Sequence, residues 1–135
     1  MASIFSQMLE GSIPAHRVWQ DELCFVIVDI RPLKRGHCLV IPVQEVDQWT
    51  DLEPDVATHL MSVAHRVGRA QKQVFGGSRI GLMIAGFEVP HAHIHVTPMD
   101  SMADMNFVNA DTAATDADLT EVAALLTEAL GVSEG

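Results

Sequence analysis

Basic residues are scarce in this sequence: 8 Lys and Arg stand against 18 Asp and Glu, a formal charge of −10 at pH 7. General affinity for nucleic acid needs a basic footprint, so that class of partner is excluded. A small anion held by a local group is not. Arg31, Lys34 and Arg35 lie close together, whereas no Lys or Arg follows His95. Cysteine is nearly missing too. Cys24 and Cys38 each sit inside an apolar run, form no C-x-x-C pair, and read as buried free thiols rather than a disulfide. No apolar run approaches the roughly 20 residues of a membrane span. Met1-Ala2-Ser3-Ile4-Phe5 is not a basic segment followed by an apolar block, so no leader is read there. The expectation is a cytoplasmic protein with no membrane partner. Internal repeats and long linkers are also lacking, which predicts one domain over residues 1–135, with a core at about 4–100 and a helical C-terminal extension at about 101–135.

What is present is enough apolar material for a core, 48% of residues. Ser3 can cap a short helix carrying Ile4, Phe5, Met8 and Leu9, ended by Gly11. Arg17–Gln20, Leu23–Ile30 and His37–Val43 read as strands, the last two paired antiparallel across the loop bracketed by Pro32 and Gly36. Val56, Leu60, Val63, Ala64, Val67 and Val74 recur at three- and four-residue steps. That stripe predicts the main helix, at about Pro54–Phe75, with Thr50 or Asp51 as its cap. His59 and His65 fall in it as solvated or rim histidines. Arg79–Ala85 is a further strand. After a polar, low-signal stretch from Asp100, Thr115 or Asp116 caps a last helix, with Leu119, Val122, Ala123 and Leu126 on one side and Gly131 at its end. Strands in antiparallel order with helices set between them predict an α+β fold.

The stretch that stands out is Val89-Pro90-His91-Ala92-His93-Ile94-His95-Val96-Thr97-Pro98. As a strand, its period of two puts His91, His93 and His95 on one face, directed to solvent, roughly 6–7 Å apart. Ala92, Ile94 and Val96 take the core face. Imidazole titrates near pH 6.5 and serves as nucleophile, acid, base or metal ligand. A pair of histidines two apart on a strand also supplies two zinc ligands in many sites, with His37 as a companion here, so the spacing alone leaves metal binding open.

The run His91-Ala92-His93-Ile94-His95-Val96-Thr97 resembles the motif of the histidine-triad family, in which three histidines alternate with hydrophobic residues. Phe25-Val26-Ile27-Val28-Asp29-Ile30-Arg31-Pro32 through Gly36-His37-Cys38-Leu39-Val40-Ile41-Pro42 is similar to the family's second landmark, and Ile4-Phe5 and Ile13-Pro14 to its opening. The resemblance covers positions 4 to 98. It implies an antiparallel sheet of about five strands with one main helix packed on it, short terminal helices, and usually a homodimer. It further implies a hydrolase acting at the α-phosphorus of a nucleoside phosphoramidate or anhydride, with no cofactor, on a purine nucleotide resembling AMP. By that analogy His93 attacks, forming a nucleotidyl-histidine that water then cleaves. His91 acts near the leaving group, and His95 and His37 orient and polarise. Asp29 corresponds to the ribose-binding acid, and Phe5, Ile13 and Ile30 to the base pocket.

This chain departs from the family in several places. Met83 stands where members often carry Asn, the Gly86–Pro90 loop is short, and Glu88 falls where Ser or Gln usually touches phosphate or leaving group. Cysteines that bind zinc in some relatives are replaced by Phe5-Ser6-Gln7. An acid at position 88 repels a polyphosphate and favours an amine or otherwise uncharged leaving group. A dinucleoside polyphosphate hydrolase, a non-catalytic nucleotide-binding protein and a zinc-binding protein remain the alternatives.

Overall fold

The computed structural model of the chain describes residues 2–131. Five strands form one antiparallel sheet in the order β1-β2-β3-β5-β4. They are β1 (Arg17–Gln20), β2 (Cys24–Val28), β3 (Cys38–Pro42), β4 (Arg79–Met83) and β5 (Ile94–Met99). Three helices accompany them: α1 (Ile4–Glu10), α2 (Pro54–Val74) and α3 (Asp116–Leu130).

Strands β2 and β3 are buried at every position. Their alternation therefore sorts apolar side chains between two cores instead of between core and water. Cys24, Val26, Val28, Cys38 and Val40 face one way, with Ile94 and Val96 of β5, against Leu60, Val63 and Val67 of α2 and Leu119, Val122 and Leu126 of α3. Phe25, Ile27, Leu39 and Ile41 face the other way, against Phe5 and Met8 of α1. The site is built on this second side.

Local chemistry explains the ends of the elements. The Ser3 hydroxyl accepts the Ser6 N–H at the start of α1, and Gly11 closes that helix at φ 90°. Thr115 and Asp118 form a reciprocal capping box on α3, which Gly131 ends in the left-handed conformation. The cap expected on α2 is different. Trp49–Asp51 form a separate turn of 3-10 helix, and Glu53 precedes α2 without a side-chain cap because Pro54 leaves one fewer N–H to satisfy. The polar stretch after Asp100 contains two more 3-10 turns, Met102–Met105 and Phe107–Asn109. No described helix is long and apolar enough to cross a membrane. Cys24 and Cys38 are buried free thiols, and burial first of all pushes both up to about 12.

Candidate active site

The histidine run corrects two expectations. Ladder pairing begins only at Ile94, opposite Val40, so His91 and His93 precede β5 instead of lying within it. The alternation persists all the same, with Ala92, Ile94 and Val96 in the core. The histidine face is also not open to water. His91, His93 and His95 are 0%, 6% and 7% exposed. Phe5 meets the rings of His91 and His93 edge-on at 5.7 and 5.0 Å, and Phe107 meets His95 at 4.9 Å.

Each ring makes hydrogen bonds that fix its tautomer. His93 Nδ1 lies 2.8 Å from the His91 carbonyl, which can only accept, so Nδ1 carries the proton and Nε2 keeps a free lone pair. The Leu33 N–H donates to His37 Nδ1 at 3.0 Å, so the His37 proton is on Nε2, which donates to His95 Nδ1 at 3.0 Å. His95 Nε2–H is thereby left as a donor beside His93, whose ring centroid is 4.9 Å away. Burial, then the charge of His93, lowers His37 to about 4. Burial, then His37 and His93, lowers His95 to about 3. Both rings are neutral near pH 7. The site therefore places one free imidazole lone pair next to one imidazole N–H donor.

His91 is committed at both nitrogens. Its Nε2–H donates to the Pro42 carbonyl at 2.8 Å, and Nδ1 accepts from the Ser3 hydroxyl at 2.6 Å. Ser3 is held in turn by Glu45, which accepts the Ser3 N–H at 2.6 Å and the Ser6 hydroxyl at 2.8 Å. Those hydrogen bonds, led by the Ser3 N–H, lower the Glu45 pKa. Burial lowers His91, partly offset by the Pro42 carbonyl and Glu45.

Asp29 Oδ2 lies 3.7 Å from His37 Nε2, while Oδ1 accepts the Arg31 N–H at 2.9 Å. Burial raises the Asp29 pKa against the opposing pull of the Arg31 N–H and charge and of His93. Phe5 is buried and Ile13 packs beside it, whereas Ile30 is 60% exposed. A cavity of about 550 Å³ opens beside His93 and His95. Glu88 and Met83 line it, and Asp29, Phe5, Ile13 and Ile30 do not. Its remaining walls include Phe87, Met102, Met105, Phe107 and Val108, which sequence reasoning missed. Four of these lie in the stretch without apolar period, where only the presence of Met and Phe among polar residues was a signal.

Among the described residues, Asp29, His37 and His95 bring donor atoms within 4.8 Å of one another, and so do Asp21, Cys24 and His59. A proton bridges His37 to His95. Asp21 accepts from Trp19 Nε1 and the Leu23 and Cys24 N–H groups and lies 2.7 Å from His59 Nε2.

An antiparallel α+β protein with hydrogen-bonded histidines on the extended run that enters a sheet strand, beside a cavity, is the class that fold and site define. The HIT domain profile matches residues 10–102. The chain belongs to the HIT domain family. It is 29% identical over 135 residues to an uncharacterized HIT-like protein of Mycobacterium tuberculosis, spanning 96% of this chain and 94% of that one. A Zn-bound histidine triad family protein from Mycobacterium smegmatis superposes with a TM-score of 0.80 at 30% identity, over 97% of this chain and 94% of that one. The adenosine 5'-monophosphoramidase HNT1 of Saccharomyces cerevisiae is 29% identical over 98 residues, covering 72% of this chain and 62% of that protein.

Proposed function

We propose that the protein is a nucleoside phosphoramidase that cleaves at the α-phosphorus of a purine mononucleotide derivative and releases a nucleoside monophosphate such as AMP. The observation that carries this reading is the free Nε2 of His93, opposite an Nδ1–H held at 2.8 Å by the His91 carbonyl. In the first step Nε2 bonds to phosphorus, the P–N bond breaks, and the leaving nitrogen takes a proton from water. The positive charge that appears on the His93 ring is stabilised where its Nδ1–H meets the carbonyl. His95 Nε2–H donates to a phosphoryl oxygen, a role suited to a neutral, preorganised donor. In the second step water bonds to phosphorus, gives up a proton to solvent, and the P–Nε2 pair returns to His93.

Asp29 accepts from the ribose hydroxyls, with Phe5, Ile13 and Ile30 on the base side. His91, expected near the leaving group, is given a positioning role instead, through its carbonyl and its ring anchors, since both ring nitrogens are occupied. The same reading makes the chain one cytoplasmic domain that pairs with a second copy along β4, the sheet-edge strand on which Leu82 is 41% exposed. The resemblance to a protein named adenosine 5'-monophosphoramidase supports it.

The decisive comparison is wild type against His93→Ala on an adenosine phosphoramidate labelled at phosphorus. Wild type is expected to release AMP and to carry label through an acid quench. His93→Ala is expected to lose at least about a thousandfold in kcat and to carry no label. Equal rates in the two proteins would remove the nucleophile assignment.

A further inference from the structure

We infer that the cavity beside His93 and His95 is the leaving-group site, and that it selects an amine bearing an extended apolar group. This rests on the phosphoryl chemistry proposed for His93. The residues assigned to ribose and base, Asp29, Phe5, Ile13 and Ile30, are not among its walls, whereas His93 and Glu88, expected at the phosphate or leaving group, are. The space is therefore left for the other half of the substrate.

The wall chemistry sets what that half is. Met83 and Phe107 line the cavity beside His95, Met105 lines it next to Gly81, and Phe87, Met102 and Val108 line it at 98%, 78% and 88% exposure. Three large apolar side chains that exposed, gathered at one opening, are unlike the scattered apolar residues of an ordinary surface. Thioethers are soft and flexible enough to close around aliphatic or aromatic groups of varied shape. Met83, on β4, adds a further apolar side chain to this wall. Gly81 contributes as well. A Cβ there would come within 2.6 Å of Met105 Cε, so the bare backbone of β4 gives Met105 its place in the wall.

Charge points the same way. No Lys or Arg lines the cavity, and its one ionisable group besides the histidines is the exposed carboxylate of Glu88. A pyrophosphate leaving group would enter unpaired and next to like charge. A departing alkylamine is uncharged or positive and meets no such repulsion.

The test uses the full chain and two AMP phosphoramidates of matched amine basicity, the methylamide and the hexylamide, with ATP as a third substrate. The hexylamide is expected to exceed the methylamide in kcat/KM by about ten- to a hundredfold, the range over which apolar pockets discriminate. ATP is expected to be slowest. Met105→Asn should draw the hexyl-to-methyl ratio toward one. Val108→Asn, at an exposed position with little folding role, should do so in part. Equal kcat/KM for the two amides would overturn the inference while leaving the nucleophile standing, as would ATP being cleaved as fast as the hexylamide. An unchanged ratio in both variants, with light scattering showing that they separate two copies of the chain, would overturn it in favour of an interface. Cleavage of no amide at all would remove the proposed function and the inference with it.

Discussion

At the scale of single residues, each imidazole takes its role from the groups that hold its ring nitrogens. His91, His93, His95 and His37 stand out as residue types at a spacing. Which nitrogen of each ring is free depends on backbone and hydroxyl groups that no spacing reveals: Ser3 and the Pro42 carbonyl, both distant in sequence, for His91, and the Leu33 N–H in the preceding loop for His37. Ser3 is the most exposed to test. It caps α1 and holds His91 Nδ1, and the carbonyl of the same His91 holds His93 Nδ1. Ser3 touches no reacting atom, so it is a positioning residue. Ser3→Ala is expected to cost about 1 kcal/mol of stability through the lost cap. It should lower kcat roughly tenfold or more, with little change in KM, because displacing a reacting group by a fraction of an ångström is enough. Ser3→Thr keeps the hydroxyl and should restore kcat. Steady-state kinetics with thermal melts on both variants separate the two effects; an Ala variant with wild-type kcat would disconnect Ser3 from the site.

At the scale of elements, α2 and α3 follow their hydrophobic period, and their observed ends, like those of the apolar runs β2 and β3, lie within a residue or two of those expected. The start of β5 does not, for an identifiable reason. Alternation describes any extended backbone, whereas a ladder also needs a facing strand. Beyond Val40, β3 continues to pair with β2 alone, and the carbonyl of Pro42 is taken by the His91 ring. The 3-10 turns after Asp100 were illegible because short side-chain caps hold them, such as the Asn106 carboxamide accepting the Val108 N–H, and not a buried stripe. Gly36 shows how tightly the loop before β3 is constrained. Its φ is +100°, and a Cβ would fall 2.5 Å from Phe75 Cδ2, on the ring that ends α2. Gly36→Ala is expected to destabilise by on the order of 3 kcal/mol, combining backbone strain with overpacking. Gly11→Ala is a fair control. Its φ is +90° with nothing within 4 Å of the added methyl, so it should cost only about 1 kcal/mol. Urea unfolding reads both; similar losses would show that the Phe75 ring yields freely.

For the whole molecule, the sequence implied a sheet with one dominant helix, but not that the central strands are covered on both faces. β2 and β3 are unbroken apolar runs, and such a run does not say which layer each residue joins. The second layer is what closes over the histidines, and its consequence is a stability that depends on pH. His37 is held at about 4 and His95 at about 3, against about 6.5 in the unfolded chain. Between those values the unfolded chain binds protons that the folded chain refuses. Unfolding is therefore favoured as pH falls, by up to roughly 1.4 kcal/mol per pH unit for each histidine. Above about pH 7 both rings are neutral in both states, and this contribution to the slope vanishes. The two rings share a hydrogen bond, so the first proton taken up disfavours the second, which holds the folded chain short of protons further down the scale and prolongs the descent. The melting temperature is thus expected to be flat from pH 7 to 8 and to drop steeply from about pH 6 to 4, where several kcal/mol is a large part of a typical domain's 5–15. His95→Gln, which leaves a neutral amide beside His37, should flatten that descent even though its melting temperature at pH 7 is lower. A wild-type melting curve that stays level down to pH 4 would mean that the buried imidazoles take up protons in place, and the neutral donor assigned to His95 would go with it.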